Sequence, residues 1–239
     1  MKTALVLGGS RGIGAEGVRE MCRRGWRVGF SYLRSADAAA ALAAETGAKC
    51  YPCDARKEAD IRALADAYLR DFSHLDALIF NAGTAYAGLL QDMKTEDFDD
   101  LFALHVRGAF LAVRAFLPSM IARKQGSILL VSSMWGQVGA SCEAAYSSCK
   151  AAQLGLMKAL AKEVGPSGIR VNCVCPGVIE TDMLKGYSED DLDALREDTP
   201  LMRLGTPLDV DRAIAFLCED TAAFITGQAL GVNGGFVIS

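Results

Sequence analysis

Short apolar runs recur along the chain, separated by longer stretches that carry one apolar face. The runs are Ala4–Leu7, Arg27–Tyr32, Lys49–Cys53, Ala77–Phe80, Ser127–Ser132, Ile169–Cys175 and Gln228–Val232, most of them rich in Val, Ile and Leu. A short apolar run without polar alternation predicts a strand buried on both faces, the habit of parallel sheets. Helical periodicity fills the intervals Ile13–Arg24, Ala36–Glu45, Lys57–Asp71, Phe98–Lys124, Tyr146–Val164 and Pro207–Glu219. Such alternation implies right-handed crossovers with helices on both faces. The pattern predicts a single α/β domain over residues 1–239, a doubly wound parallel sheet of about seven strands. No repeat, low-complexity tract or proline-rich linker divides it.

Composition changes the picture mainly by exclusion. Hydrophobic residues make up 51% and charged residues 23%, which suits a large core and excludes a disordered or fibrous chain. With 25 Lys+Arg against 29 Asp+Glu, the net charge is -4 and no basic block stands out. Nucleic acid and anionic membrane surfaces are therefore not expected partners. The longest apolar region, Leu101 to Ile121, is interrupted by His105, Arg107 and Arg114, so no bilayer span is expected. The apolar run before Gly8 is too short for a secretory leader, and a cytoplasmic location is the expectation. Eight cysteines include the pairs Cys50/Cys53 and Cys173/Cys175, yet the two histidines, His74 and His105, lie near neither pair. No metal is expected, and reduced, buried thiols are, with Cys173 and Cys175 on one strand face.

Ligands of open α/β sheets sit beyond the carboxyl ends of the strands. The first run is followed by Gly8-Gly9-Ser10-Arg11-Gly12-Ile13-Gly14, which opens directly into a helix. Glycines let the backbone turn tightly and approach a pyrophosphate, and the helix start offers unpaired N–H groups. An NAD site usually places an acid about 20 residues further on. Here Tyr32-Leu33-Arg34-Ser35 ends the second run, with no acid between Trp26 and Ala36. Arg34 and Arg11 suit a 2′-phosphate, whose geometry guanidinium forks match, so NADP(H) is favoured; the alternative is two solvated surface charges. Asp54 and Ala55 follow the third run at the adenine end, and Asn81-Ala82-Gly83 follow the fourth, where a cofactor can pass closely.

Tyr146 and Lys150 stand four apart on one predicted helix face, and Ser133 ends the fifth run. A free phenol titrates near ~10, and a neighbouring ammonium is expected to lower that value, as a general acid requires. Ser133 is placed to hold a substrate carbonyl.

Over essentially its whole length the chain resembles the short-chain dehydrogenase/reductase family. The residues that carry the likeness are Gly8–Gly14, Asp54, Asn81-Ala82-Gly83, Ser133, Tyr146/Lys150, Pro176-Gly177 with Thr181, Ile225-Thr226-Gly227-Gln228 and Asn233-Gly234-Gly235. The resemblance implies a Rossmann fold, Tyr146 as catalytic acid, Lys150 as its modulator and ribose ligand, and Ser133 as carbonyl holder. By the same likeness Val178 and Thr181 meet the nicotinamide carboxamide, Asn172 is structural, and the assembly is a homotetramer or homodimer. The chain departs from the family at Leu7, at Phe80 and at His105, where an Asn that arranges a relay water is common. Two readings of His105 stay open: a ring that hydrogen-bonds a relay water, and an interior histidine without a catalytic part.

The general likeness is to 3-oxoacyl-carrier-protein reductases, through Pro200–Gly205 and the tail, which implies a carrier-linked or small-molecule ketone. The stretch Ser132–Glu143 resembles the elongation factor P 5-aminopentanone reductases, whose substrate ends in an amine. Glu143 would attract an ammonium, and Trp135 would offer it a cation–π face; the alternative is an exposed loop acid. A reading of another class, an NADP-binding sensor without turnover, has no chemical need for Ser133, Tyr146 and Lys150 together. The acidic segment 181–201 is expected to form a helical lid, or else a solvated acidic helix.

Overall fold

All seven apolar runs form strands. The computed structural model of the chain describes residues 1–238. The strands are β1 (Thr3–Leu7), β2 (Arg27–Tyr32), β3 (Lys49–Pro52), β4 (Ala77–Phe80), β5 (Gly126–Val131), β6 (Ile169–Pro176) and β7 (Ala229–Val232). They make one parallel sheet in the order β3-β2-β1-β4-β5-β6-β7. Val6 of β1 pairs with Phe30 on one side and Ile79 on the other, so the chain winds in opposite directions from the β1/β4 boundary. That reversal opens a crevice at the carboxyl edge of the sheet, where ligands bind in folds of this kind.

The connecting helices are α1 (Gly12–Arg23), α2 (Ala36–Thr46), α3 (Glu58–Phe72), α4 (Thr95–Phe102), α5 (Gly108–Arg123), the single turn α6 (Trp135–Val138), α7 (Ala144–Val164), α8 (Glu189–Glu197) and α9 (Pro207–Cys218). One face of the sheet packs on α3, α5 and α7 through Leu7, Phe80, Phe116 and Met157. The opposite face packs on α1, α2 and α9 through Val6, Phe30, Val18 and Ile214. Helices therefore cover both faces, as the alternating pattern predicts. Cys173 and Cys175 fall in the same core, fully buried, and all eight cysteines are free thiols, of which Cys142 is exposed.

Two departures have local causes. The stretch read as one helix over Phe98–Lys124 starts earlier and contains a π-helical turn, Ala103–Arg107, between α4 and α5. Hydrophobic periodicity shows which face is apolar and is blind to one extra residue in a turn. The run Thr95–Arg123 is long and apolar enough to cross a membrane by composition. Here Leu101, Ala109, Leu111, Ala112 and Phe116 of this run are buried inside the protein.

One buried carboxyl stands apart. Asp211 of α9 is 1% exposed, and neither carboxylate oxygen has a hydrogen-bond partner among the described residues. It points at α1, where a Cβ on Gly17 would stand 2.8 Å from Oδ1. Burial, with Glu16 and Glu20 nearby, pushes its pKa up to about 9, Arg23 pulling weakly the other way.

Candidate active site

The turn after β1 is built to keep the start of α1 open. Gly8 sits at φ +76, a left-handed backbone that glycine adopts without strain, and a Cβ there would meet Ala82 Cα at 2.7 Å. The Gly8 amide donates to Ser31 Oγ at 3.1 Å, the Gly9 amide to the Ser31 carbonyl at 2.9 Å, and Asn81 Nδ2 to the Gly8 carbonyl at 2.9 Å. Asn81 thus braces the turn from β4. No side chain caps α1 and its first turn holds no acid, so its N–H groups face the crevice, a natural anion site.

Gly8, Ser10, Arg11, Gly12, Ile13, Tyr32, Arg34, Asp54, Ala55, Asn81, Ala82, Gly83 and Thr181 line one cleft of about 590 Å³. Gly14 lies beneath the turn, where a Cβ would be 2.1 Å from the Gly8 carbonyl oxygen. Pro176, Gly177 and Val178 continue from β6, with the Gly177 amide donating to the Val232 carbonyl at 3.0 Å. The end of β2 carries no acid, and Arg34 is exposed on the rim. Arg11 instead reaches the segment 181–201, with its Nη1 at 3.5 Å from Asp182. Asp54 is gripped by a residue that motif reading passes over: Arg56 Nε and Nη2 each donate to it at 2.9 Å and hold its carboxyl below the ordinary range. That arginine stands two residues past the acid, a spacing that one sequence does not mark as functional.

Beyond the cleft, β5 and α7 bring Ser133, Tyr146 and Lys150 to one corner. Lys150 is buried, its ammonium donating to the Val131 carbonyl at 2.9 Å and lying 5.5 Å from the Tyr146 ring centroid. α6 can lie this close to α7 because Gly136 has no side chain; a Cβ there would be 2.8 Å from the Lys150 carbonyl carbon. Burial lowers the Lys150 pKa to about 8. The phenol contradicts the expectation of a lowered value: burial pushes Tyr146 up to about 12, a Ser133 hydrogen bond pulls it down, and the Glu143 charge raises it. The physical reason is that burial of the phenol penalises its charged form more than the Ser133 hydrogen bond favours it. Tyr146 is therefore protonated at neutral pH.

Glu143 is the N-cap residue of α7, half-buried rather than an exposed loop acid, and burial raises its pKa. Trp135 opens α6 and meets Phe236 edge-on at 5.6 Å, a wall from the tail that motif reading does not supply. His105 is fully buried in the π-helical turn, against the Tyr146 ring. The segment 181–201 holds a short 3-10 turn, Asp182–Leu184, and the exposed helix α8, whose Ser188 and Asp191 form a reciprocal cap. Asn172 is structural: its amide donates to the Ile225 carbonyl and its oxygen accepts from the Gln228 amide.

Sequence comparison gives the chain its family. A family model described as enoyl-(acyl carrier protein) reductase matches residues 8–237, and the chain belongs to the short-chain dehydrogenase/reductase family, a family of oxidoreductases. The oxidoreductase YmfI of Bacillus subtilis is 38% identical over 239 residues, with 98% of each chain covered. A 3-oxoacyl-[acyl-carrier-protein] reductase FabG of Staphylococcus epidermidis is 35% identical over 239 residues, again covering 98% of each. The Escherichia coli FabG is 36% identical over 236 residues, covering 98% of this chain and 96% of that one.

Proposed function

We propose that the protein is an NADPH-dependent reductase that converts a ketone into a secondary alcohol in the cytoplasm. The observation that carries this reading is the convergence of Ser133, Tyr146 and Lys150 at the end of β5, beside the cleft that the glycine turn opens. The cleft fits a pyridine nucleotide: an uncapped helix start suits the pyrophosphate, and a β2 end with Arg34 and no acid suits a 2′-phosphate. Arg34 is the favoured phosphate contact, because Arg11 is already turned toward Asp182. When bound, the nicotinamide supplies the hydride. Ser133 holds the carbonyl oxygen by hydrogen bonding. Tyr146, kept protonated by burial, donates the proton to the oxygen as charge develops on it. Lys150 fixes that corner through Val131 and supplies positive charge beside the phenol.

Identity to FabG proteins along the whole chain supports a 3-oxoacyl thioester on a carrier protein as substrate. A second reading is favoured by Glu143. A half-buried carboxylate beside Tyr146 suits a ketone that ends in an ammonium, and a neutral acyl chain gains nothing from it. The test is NADPH and NADH oxidation with 3-oxoacyl thioesters and with an aminoketone. Tyr146→Phe should lower turnover by roughly 10²–10⁴-fold, the range for loss of a general acid. Wild-type rates of zero on every ketone would leave a dinucleotide-binding sensor in its place. Glu143→Gln should depress the aminoketone rate selectively if that reading holds, and spare it if the thioester reading does.

A further inference from the structure

His105 occupies a seat that is closed on every side. Its Nε2 is 2.8 Å from the Thr84 carbonyl oxygen and 3.2 Å from the Thr84 amide nitrogen. Its ring meets the Tyr146 ring edge-on, centroids 5.6 Å apart and planes at 90°. Its own carbonyl accepts from Gln153 Nε2 at 2.9 Å. Gly83 makes room for it, since a Cβ there would stand 2.6 Å from Cε1 of the imidazole. The other ring nitrogen, Nδ1, is buried without a partner among the described residues.

We propose that His105 is a positioning residue that fixes the Tyr146 ring relative to the Gly83–Thr84 backbone, and that it carries no proton to or from the phenol. A relay needs a ring nitrogen open at each end. Here Nε2 ends on a peptide group, which passes no proton onward, and Gln153 holds the backbone carbonyl of the same residue. The shorter of the two Thr84 contacts sets the tautomer: Nε2–H donates to the carbonyl, and Nδ1 is bare. Burial and the nearby Lys150 charge push the imidazole down to about 3, so the ring is neutral at working pH. What remains is a rigid spacer tied by one backbone hydrogen bond. Thr84 and Gly83 line the cofactor cleft, so the spacer sets the distance between that cleft and the proton donor. The π-helical turn supplies the place, because one extra residue turns the ring inward.

The inference rests on Tyr146 as the donor. His105→Phe keeps a ring and removes the bond to Thr84; His105→Asn keeps a polar group and removes the ring. Each should lower kcat roughly ten- to hundredfold, as expected for a lost buried hydrogen bond or ring contact. Each should also keep the wild-type pH profile and solvent isotope effect, and neither should lower the residual rate further in a Tyr146→Phe background. A displaced pH limb or an altered isotope effect would make His105 a proton carrier and overturn the proposal. Rates within about twofold of wild type in both variants would show that it positions nothing. Full activity of Tyr146→Phe alone would remove the donor assignment, independently of His105. If both variants lose their folding transition, the wild-type ring decides by nitrogen-15 spectroscopy. One neutral tautomer protonated on Nε2 between about pH 5 and 9 supports the proposal, and titration within that interval overturns it.

Discussion

Two carboxyl groups, Asp54 and Asp211, show how differently neighbours treat the same side chain. Asp54 is gripped by Arg56 and stays ionised, whereas Asp211 is sealed between α9 and α1 with no partner among the described residues. A carboxyl whose folded pKa is raised stabilises the fold fully below its unfolded value, near ~4, and that contribution is lost as pH climbs toward its folded value. With the folded value at about 9, stability should fall by about 1.4 kcal/mol for each pH unit between these limits. At pH 7 the deficit is on the order of 4 kcal/mol. Asp211→Asn has the same shape and no charge to lose, so its melting temperature should exceed wild type clearly at pH 8 and by little near pH 4. An equal gain at both would mean that the carboxyl does not titrate in the fold. The convergence of Ser133, Tyr146 and Lys150 was readable because they are reactive types at the ends of predicted elements. Gln153, Thr84 and Phe236 were not: an amide, a backbone group and a tail aromatic carry no signal until folding brings them beside His105 and Trp135.

Among the elements, the strands were legible almost to the residue and the long helix was not. Strands buried on both faces announce themselves as mostly apolar runs, because a polar side chain between two helical layers needs a hydrogen-bond partner there, as Asn172 has. The π-helical turn depends on what His105 and Gly83 meet, a tertiary matter. Segment 181–201 was visible as an acidic stretch, and its helix α8 owes its start to the Ser188/Asp191 cap, with Asp191 Oδ2 accepting from the Ser188 hydroxyl at 2.6 Å and from its amide at 3.0 Å. α8 buries no residue, so this cap carries much of its stability. Ser188→Ala should cost about 1 kcal/mol locally and speed limited proteolysis between Lys185 and Arg196 roughly fivefold, without moving the global transition. Unchanged cutting would show that other contacts hold α8 in place.

The whole molecule leaves apolar surface unexplained by its own core. Phe224 is fully exposed beyond α9, Phe216 and Leu230 stand partly exposed, and Phe110 and Ile121 stand out from α5. Large exposed apolar groups mark contact surfaces, and symmetric assembly is the common use of them. We expect more than one copy per particle in sedimentation experiments, and Phe224→Asp should shift the population toward smaller species. A wild-type chain that sediments as a single copy would end that expectation. One further property follows from where the sulfur atoms fall. Burial raises the thiols of Cys53, Cys149, Cys173, Cys175 and Cys218, whereas Cys142 lies open in the loop that leads into α7, next to Glu143. A maleimide dye will therefore select Cys142 over those five, and the native chain comes supplied with an attachment point from which ligand arrival can be watched by fluorescence.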